Sequence, residues 1–159
     1  MKEGFKPVYD KNSKILLLGS FPSEKSLKEQ FYYSHKQNSF WKIIGVILKE
    51  KSLETKTTIK KQKILLKHKI ALWDVYRRVE RKGSKDSNIK SKELNDFKIL
   101  KNLNLKAIFY NGKTAYKEKE KIKKILKVEE HIYLPSTSPL YTKKLEEKIK
   151  EWKKIKEYL

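Results

Sequence analysis

Asn38, Gln37 and His35 are packed into a run of aromatic residues, FYYSHKQNSFW at positions 31–41. A carboxamide can hold a water with its oxygen and a base or sugar edge with its nitrogen, and a histidine can act as a general acid. A hydrophobic core has no need of three polar side chains in such a run. A solvated surface has no need of Phe31, Tyr32, Tyr33, Phe40 and Trp41. A flat, polar ligand such as a nucleobase uses both kinds, and Tyr33 could stack on it for roughly 1–3 kcal/mol. Plain structural roles compete: a helix cap for Asn38, a loop position for His35 and core positions for the tyrosines.

Two hydroxyl-rich loops offer further polar groups. In GSFPS (19–23), Gly19 permits a tight turn, and Ser20, Ser23 and nearby backbone N–H groups could hold a phosphate or a base edge. The G-x-G-x-x-G spacing of a dinucleotide fingerprint is absent, and an ordinary strand-to-loop turn would look the same. In LPSTSPLYT (134–142), two prolines fix a loop carrying Ser136, Thr137, Ser138 and Thr142, whose hydroxyls suit phosphate oxygens. Leu140 and Tyr141 fall at its tip, where an apolar wedge can fill the gap left by an extruded base. A loop that merely caps the last helix is the competing reading. Asp74, at a strand end, and Asp86, in a polar loop where solvation is expected, are the acids that could serve as bases. Lys113 follows a strand at the same edge and could contact a phosphate. Lysine Schiff-base chemistry lacks a lysine in an apolar setting.

The elements that must position these groups follow from periodicity. KILLLGS (14–20), KIALWDV (69–75), KAIFYNG (106–112) and HIYLPS (131–136) read as short buried strands. Helices are expected from Phe40 to about Lys49, capped by Ser39, and over Thr58 to His68, Leu94 to Leu103 and Lys113 to Lys127. A last helix is expected from about Thr142. Residues 77–92, polar and rich in turn formers, read as an exposed loop. Strands alternating with helices predict a parallel sheet covered on both faces, with ligands beyond the carboxyl ends of the strands. Those ends carry GSFPS, WDVY, YNGK and LPSTSP.

Composition bounds the rest. At 159 residues the chain is expected to form a single domain, 1–159. No apolar run is long enough to span a bilayer, and the first residues lack a secretory signal, so a cytoplasmic, nucleoid-associated protein without a membrane partner is expected. The absence of cysteine removes disulfides, zinc–thiolate sites and cysteine nucleophiles. A formal charge of +21 favours a polyanionic partner through counterion release. Only Arg77, Arg78 and Arg81 are arginine among 40 basic residues. Lysine bias from an AT-rich genome competes as the source of the charge, and lysine grips backbone phosphate better than it reads bases.

GSFPS, FYYSHKQNSFWK, ALWDV with GSKDS, YNGKTAY and LPSTSP, in this order and spacing, resemble the hypoxanthine-DNA (deoxyinosine) glycosylase branch of the uracil-DNA glycosylase superfamily, over roughly residues 12–158. The H-x-x-N-x-F-W block is the most specific of these motifs. The resemblance implies a three-layer α/β/α sandwich with a central four-stranded parallel sheet. It also implies a monofunctional, cofactor-free and metal-free enzyme that flips out a deaminated base from DNA and hydrolyses its N-glycosidic bond, expected to act as a monomer. Phe21 stands where mismatch-uracil relatives carry a water-positioning asparagine. By the same resemblance Asn38 takes over that role, Tyr33 stacks on the base, and Asn111 bonds the base edge or tunes the site. Ser136 and Ser138 hold flanking phosphates, Leu140 is the wedge, and the backbone at Ser20 and Phe21 lines the pocket. Three positions depart from the pattern: Lys36 replaces a proline, Ser39 an arginine and Lys69 a glycine.

Other functions stay open at this level. A uracil or xanthine glycosylase could use the same pocket. A non-catalytic nucleic-acid-binding module would bind DNA regardless of lesions, and a small-nucleotide enzyme would turn over a free nucleotide.

Overall fold

Each of the four apolar runs becomes a strand. The computed structural model describes residues 1–159. In chain order the elements are β1 (Lys2–Glu3), β2 (Ile15–Gly19), α1 (Glu24–Glu29), α2 (Phe40–Leu48), α3 (Thr58–Lys67), β3 (Ile70–Asp74), β4 (Tyr76–Arg81), β5 (Ile89–Leu94), β6 (Ala107–Asn111), α4 (Lys113–Tyr116), α5 (Lys119–Lys123), β7 (Glu130–Leu134) and α6 (Leu145–Trp152). Strands β3-β2-β6-β7 form one sheet in that order, every pairing parallel. Every residue of β2 and β3 is buried, which is why both read as unbroken apolar runs. Helices flank the sheet, α3 packing against β3 and α4 against β6 and β7, while α2 crosses α6. This is the α/β sandwich that the alternation predicts.

The residues expected to form an exposed loop, 77–92, are instead mostly sheet. Strand β4 pairs antiparallel with both β1 and β5, giving a second, three-stranded sheet. Register irregularities at Tyr76/Arg78 and Glu80/Arg81 break the two-residue alternation, and charged residues fill the outward positions. The strand signal is thereby erased from the sequence. Three helix predictions also shrink. In place of a helix over 94–103 there is one 3-10 turn at Phe97–Leu100, because Asn95 is pulled onto β3 by its bonds to Asp74 O and Val75 O. The stretch 113–127 divides into α4 and α5 around Glu118, which turns inward to Lys121 and Lys92. The last helix begins at Leu145, since residues 139–144 remain part of the preceding loop.

The three tryptophans explain how the core holds the loops. Each buries its ring and donates its indole N–H to a backbone carbonyl: Trp41 to Tyr32, Trp73 to Phe5 and Trp152 to Pro135. Trp152 also meets Phe40 edge-on at 5.8 Å, so the crossing of α2 and α6 ties the aromatic block to the Ser/Pro loop. No helix is long and apolar enough to cross a membrane.

Lys69 adopts a left-handed φ of 63°, which accounts for the glycine of the family pattern at this position. Lys69 and Lys106 also crowd Lys14 and hold its ammonium below the usual lysine value. Lys69→Gly should therefore stabilise the fold by about 1 kcal/mol, the relief of left-handed strain less the entropy that glycine adds. Urea unfolding of the variant checks this, and an unchanged or lower midpoint would contradict it.

Candidate active site

The carboxyl ends of β2, β3 and β6 and the loop after β7 open into one cavity of about 750 Å³, the size range of small-molecule sites. It is lined by Gly19–Ser23, Ser26, Tyr32, Tyr33, His35, Gln37, Asn38, Asp74, Ser84–Ser87, Asn111 and Ser136–Tyr141. Of the residues singled out in the sequence as site candidates, Lys113 and Thr142 lie outside this lining: Lys113 is exposed at the start of α4 and Thr142 is exposed at the far end of the Ser/Pro loop.

The aromatic block divides its labour. Phe31, Tyr32, Phe40 and Trp41 are core residues, 4%, 3%, 0% and 2% exposed, so only Tyr33 is free to face a ligand. Its backbone is left-handed (φ 52°), and one ring face lies on Phe40 at 4.1 Å. Burial, reinforced by the negative charge of Asp74, raises the Tyr33 hydroxyl far above its ordinary value and keeps it neutral. Asn38 does cap a helix: its Oδ1 accepts the Phe40 N–H at 3.0 Å, while its own N–H donates to His35 O. Ser39, expected as the cap, makes no such bond and instead ties α2 to Thr137 O through N–H (3.1 Å) and Oγ (3.2 Å). Capping fixes the Asn38 carboxamide at the cavity edge and leaves its Nδ2 and a second oxygen lone pair for a ligand.

Asn111 is a clamp. Its Nδ2 donates to the Tyr33 hydroxyl (3.2 Å) and Thr137 Oγ1 (3.0 Å), and its Oδ1 accepts the Thr137 N–H (2.9 Å). The Ser/Pro loop braces itself further: Ser136 Oγ accepts from Ser138 N, and Ser138 Oγ from Leu140 N. Ser136 also sits against Gly112, where φ is +94° and a Cβ would lie 3.2 Å from the Ser136 Cβ. Leu140 projects outward, 62% exposed. Ser23 caps α1 by accepting the Ser26 N–H.

Two contributors, Arg81 and Lys148, escape sequence reading, and a third, Asp86, is named there but misplaced. Asp86, expected to be solvated, turns into the cavity and accepts from Ser20 Oγ at 2.9 Å, with Arg81 Nη1 at 3.7 Å. Burial raises its pKa, opposed by the bond from Ser20 and the charge of Arg81. Arg81, 5% exposed, donates to Pro22 O and Gly83 O and lies 5.3 Å over the Phe21 ring, pinning the β4–β5 hairpin to GSFPS. Lys148, 4% exposed, donates to Ser138 O behind the Ser/Pro loop, and burial lowers its pKa. Nothing in the spacing of a lysine-rich helix marks that one lysine as buried. No group of three or more His, Asp or Glu side chains is arranged to hold a metal.

With this geometry in place, the chain can be set beside known proteins. A sequence model of the Uracil DNA glycosylase superfamily matches residues 6–159. A protein named hypoxanthine DNA glycosylase from Methanosarcina barkeri is 40% identical over 138 residues, 86% of this chain and 86% of its own. A second protein of that name, from Methanosarcina acetivorans, is 42% identical over 117 residues, 72% of this chain and 73% of its own. A solution NMR structure of a Methanosarcina acetivorans protein, described as a candidate uracil DNA glycosylase, superposes with a TM-score of 0.84 at 36% identity, over 97% of this chain and 95% of that one. The chain belongs to the uracil-DNA glycosylase superfamily.

Proposed function

We propose that this chain is a monofunctional DNA glycosylase that extrudes a deaminated base, hypoxanthine first among them, and hydrolyses its N-glycosidic bond with water. One observation carries the reading: Tyr33, Asn38 and the rigid Ser/Pro loop converge on a single cavity roomy enough for an extruded nucleotide, in a chain about 40% identical to proteins named hypoxanthine DNA glycosylase. Tyr33 offers its free ring face to the base. As the base departs the sugar gains oxocarbenium character, so catalysis amounts to stabilising charge and placing a water. Asn38 places that water, because Phe21 has no polar group to do so. Asn111 acts through Tyr33 and Thr137, which it holds in register. Ser20 and Ser23 shape the base-side wall. The braced hydroxyls of Ser136 and Ser138 meet flanking phosphates, whereas Thr137, expected to join them, is 1% exposed with its hydroxyl held by Asn111 and only shapes the loop; Lys113 reaches the backbone from outside the cavity. No cofactor enters this scheme. The protein acts as a monomer, and its +21 charge keeps it on DNA in the nucleoid.

Leu140 fills the gap left by the flipped nucleotide. Leu140→Ala should lower activity on duplex substrates about tenfold and on single strands by less than about twofold, since only a duplex has a stack to fill. Equal losses on both would remove the wedge. The proposal as a whole is tested with matched labelled duplexes carrying hypoxanthine, uracil or xanthine opposite each normal base, abasic sites being revealed by alkali. Cleavage concentrated at hypoxanthine supports it. Cleavage dominated by uracil would reassign the substrate, and tight binding without cleavage would make the chain a non-catalytic module.

A further inference from the structure

Asp74 ends β3 inside the cavity and is 4% exposed. Neither of its carboxylate oxygens accepts a hydrogen bond from the protein, and with Oδ2 sealed from solvent it is Oδ1 that a ligand can reach. Asp86 differs sharply, being answered by Ser20 and Arg81. A carboxylate oxygen buried without a donor is unfavourable and rare in a finished fold, so a donor brought by the ligand is the natural complement. The side chain is aimed with little freedom. A Cβ on Gly19 would stand 2.6 Å from Asp74 Oδ1 and 2.5 Å from the Tyr33 hydroxyl, so both groups close over that glycine.

The donor must be part of the base. Two acids line this part of the cavity, Asp74 and Asp86, and they repel a phosphate even in so basic a protein. The base that stacks on Tyr33 brings in-plane N–H groups. Deamination of adenine turns the C6 amine into a carbonyl and puts a proton on N1. Deamination of cytosine does the same at N3. An acceptor-only carboxylate attracts that new N–H and repels the bare ring nitrogen of the parent base.

We propose that Asp74 is the specificity residue of this site, its unpartnered Oδ1 accepting the lactam N–H of the extruded base and thereby separating hypoxanthine from adenine. This rests on the glycosylase reading above. Guanine also carries N1–H, so Asp74 does not exclude it; its 2-amino group must be rejected elsewhere in the cavity. The charged and titratable groups facing Asp74 are Asp86 and Arg81 from the hairpin and Tyr32 and Tyr33 from the aromatic block. Burial, then Asp86, push its pKa up to about 7 against the pull of Arg81, so selectivity for the lactam should grow as pH rises through neutrality.

The test measures binding of non-cleavable 2′-fluoro-arabino duplexes carrying hypoxanthine or adenine, each opposite an abasic analogue so that base pairing does not contribute. Wild type should prefer hypoxanthine by roughly 10- to 100-fold, the worth of one charge-assisted hydrogen bond, and more strongly at about pH 8 than at about pH 6. Asp74→Asn can donate to adenine N1 as readily as it accepts from the lactam, so its preference should fall below about threefold and lose its pH dependence. Asp74→Ser, too short to reach, should behave alike. A preference kept within about twofold of wild type by folded Asp74→Asn would overturn the assignment. Release of hypoxanthine by wild type on the cleavable duplex is read separately. Its failure would strike the glycosylase reading, whereas retained preference with intact release would strike Asp74 alone.

Discussion

Asn38→Ala should slow single-turnover base release about 100- to 1,000-fold, the typical loss when one preorganised polar group is removed from a reacting centre. Duplex affinity should stay within about twofold, because the surrounding lysines still neutralise phosphate. The structure complicates the experiment, since Asn38 also accepts the first N–H of α2 from Phe40. Alanine removes that cap as well, at a cost of about 1 kcal/mol in stability. Asn38→Ser separates the two roles: serine caps helices well but carries no amide. It should recover stability and leave the rate depressed. A wild-type rate in Asn38→Ala, or a rate in Asn38→Ser that recovers along with stability, would show that Asn38 only caps.

Asp74→Asn should raise stability substantially above neutral pH. The folded protein holds the Asp74 carboxyl up to about 7, against an ordinary 3.8, chiefly by burial. Below about pH 4 both folded and unfolded chains carry the proton, and the side chain contributes no penalty. Between about 4 and 7 the unfolded chain releases it while the folded chain keeps it, so stability falls as pH rises. Above about 7 the full penalty persists, up to about 4 kcal/mol at about 1.36 kcal/mol per unit. Asparagine stays neutral throughout. The melting temperatures of wild type and variant should coincide near pH 4 and separate by roughly 10 °C at pH 8. Parallel curves would mean that Asp74 is not held in a penalised state. A residue that weakens the fold and yet stands in the cavity is where stability gives way to function.

The parallel sheet was legible because β2 and β3 are buried on both faces and β6 nearly so, which leaves continuous apolar runs between turn signals. The site edge was legible because strand ends in such sheets carry their loops to one side. The β4–β5 hairpin was hidden by its bulges and its charges, and Asp86 with it, since only the hairpin turns that acid inward. The aromatic block misled in part: four of its five rings serve the core, and what they build is a rigid mount for Tyr33 and Asn38. The partners of Asn111 lie 26 and 78 positions away, a distance no local pattern spans.

The most direct test of the central claim is to follow both products when the protein acts on a hypoxanthine-containing duplex in ¹⁸O-labelled water, using mass spectrometry. Free hypoxanthine is expected, with an intact strand bearing one abasic sugar with a single ¹⁸O, because water attacks the sugar as the base leaves. Hypoxanthine still joined to its sugar, with ¹⁸O on a phosphate at a strand break, would identify a nuclease and contradict it.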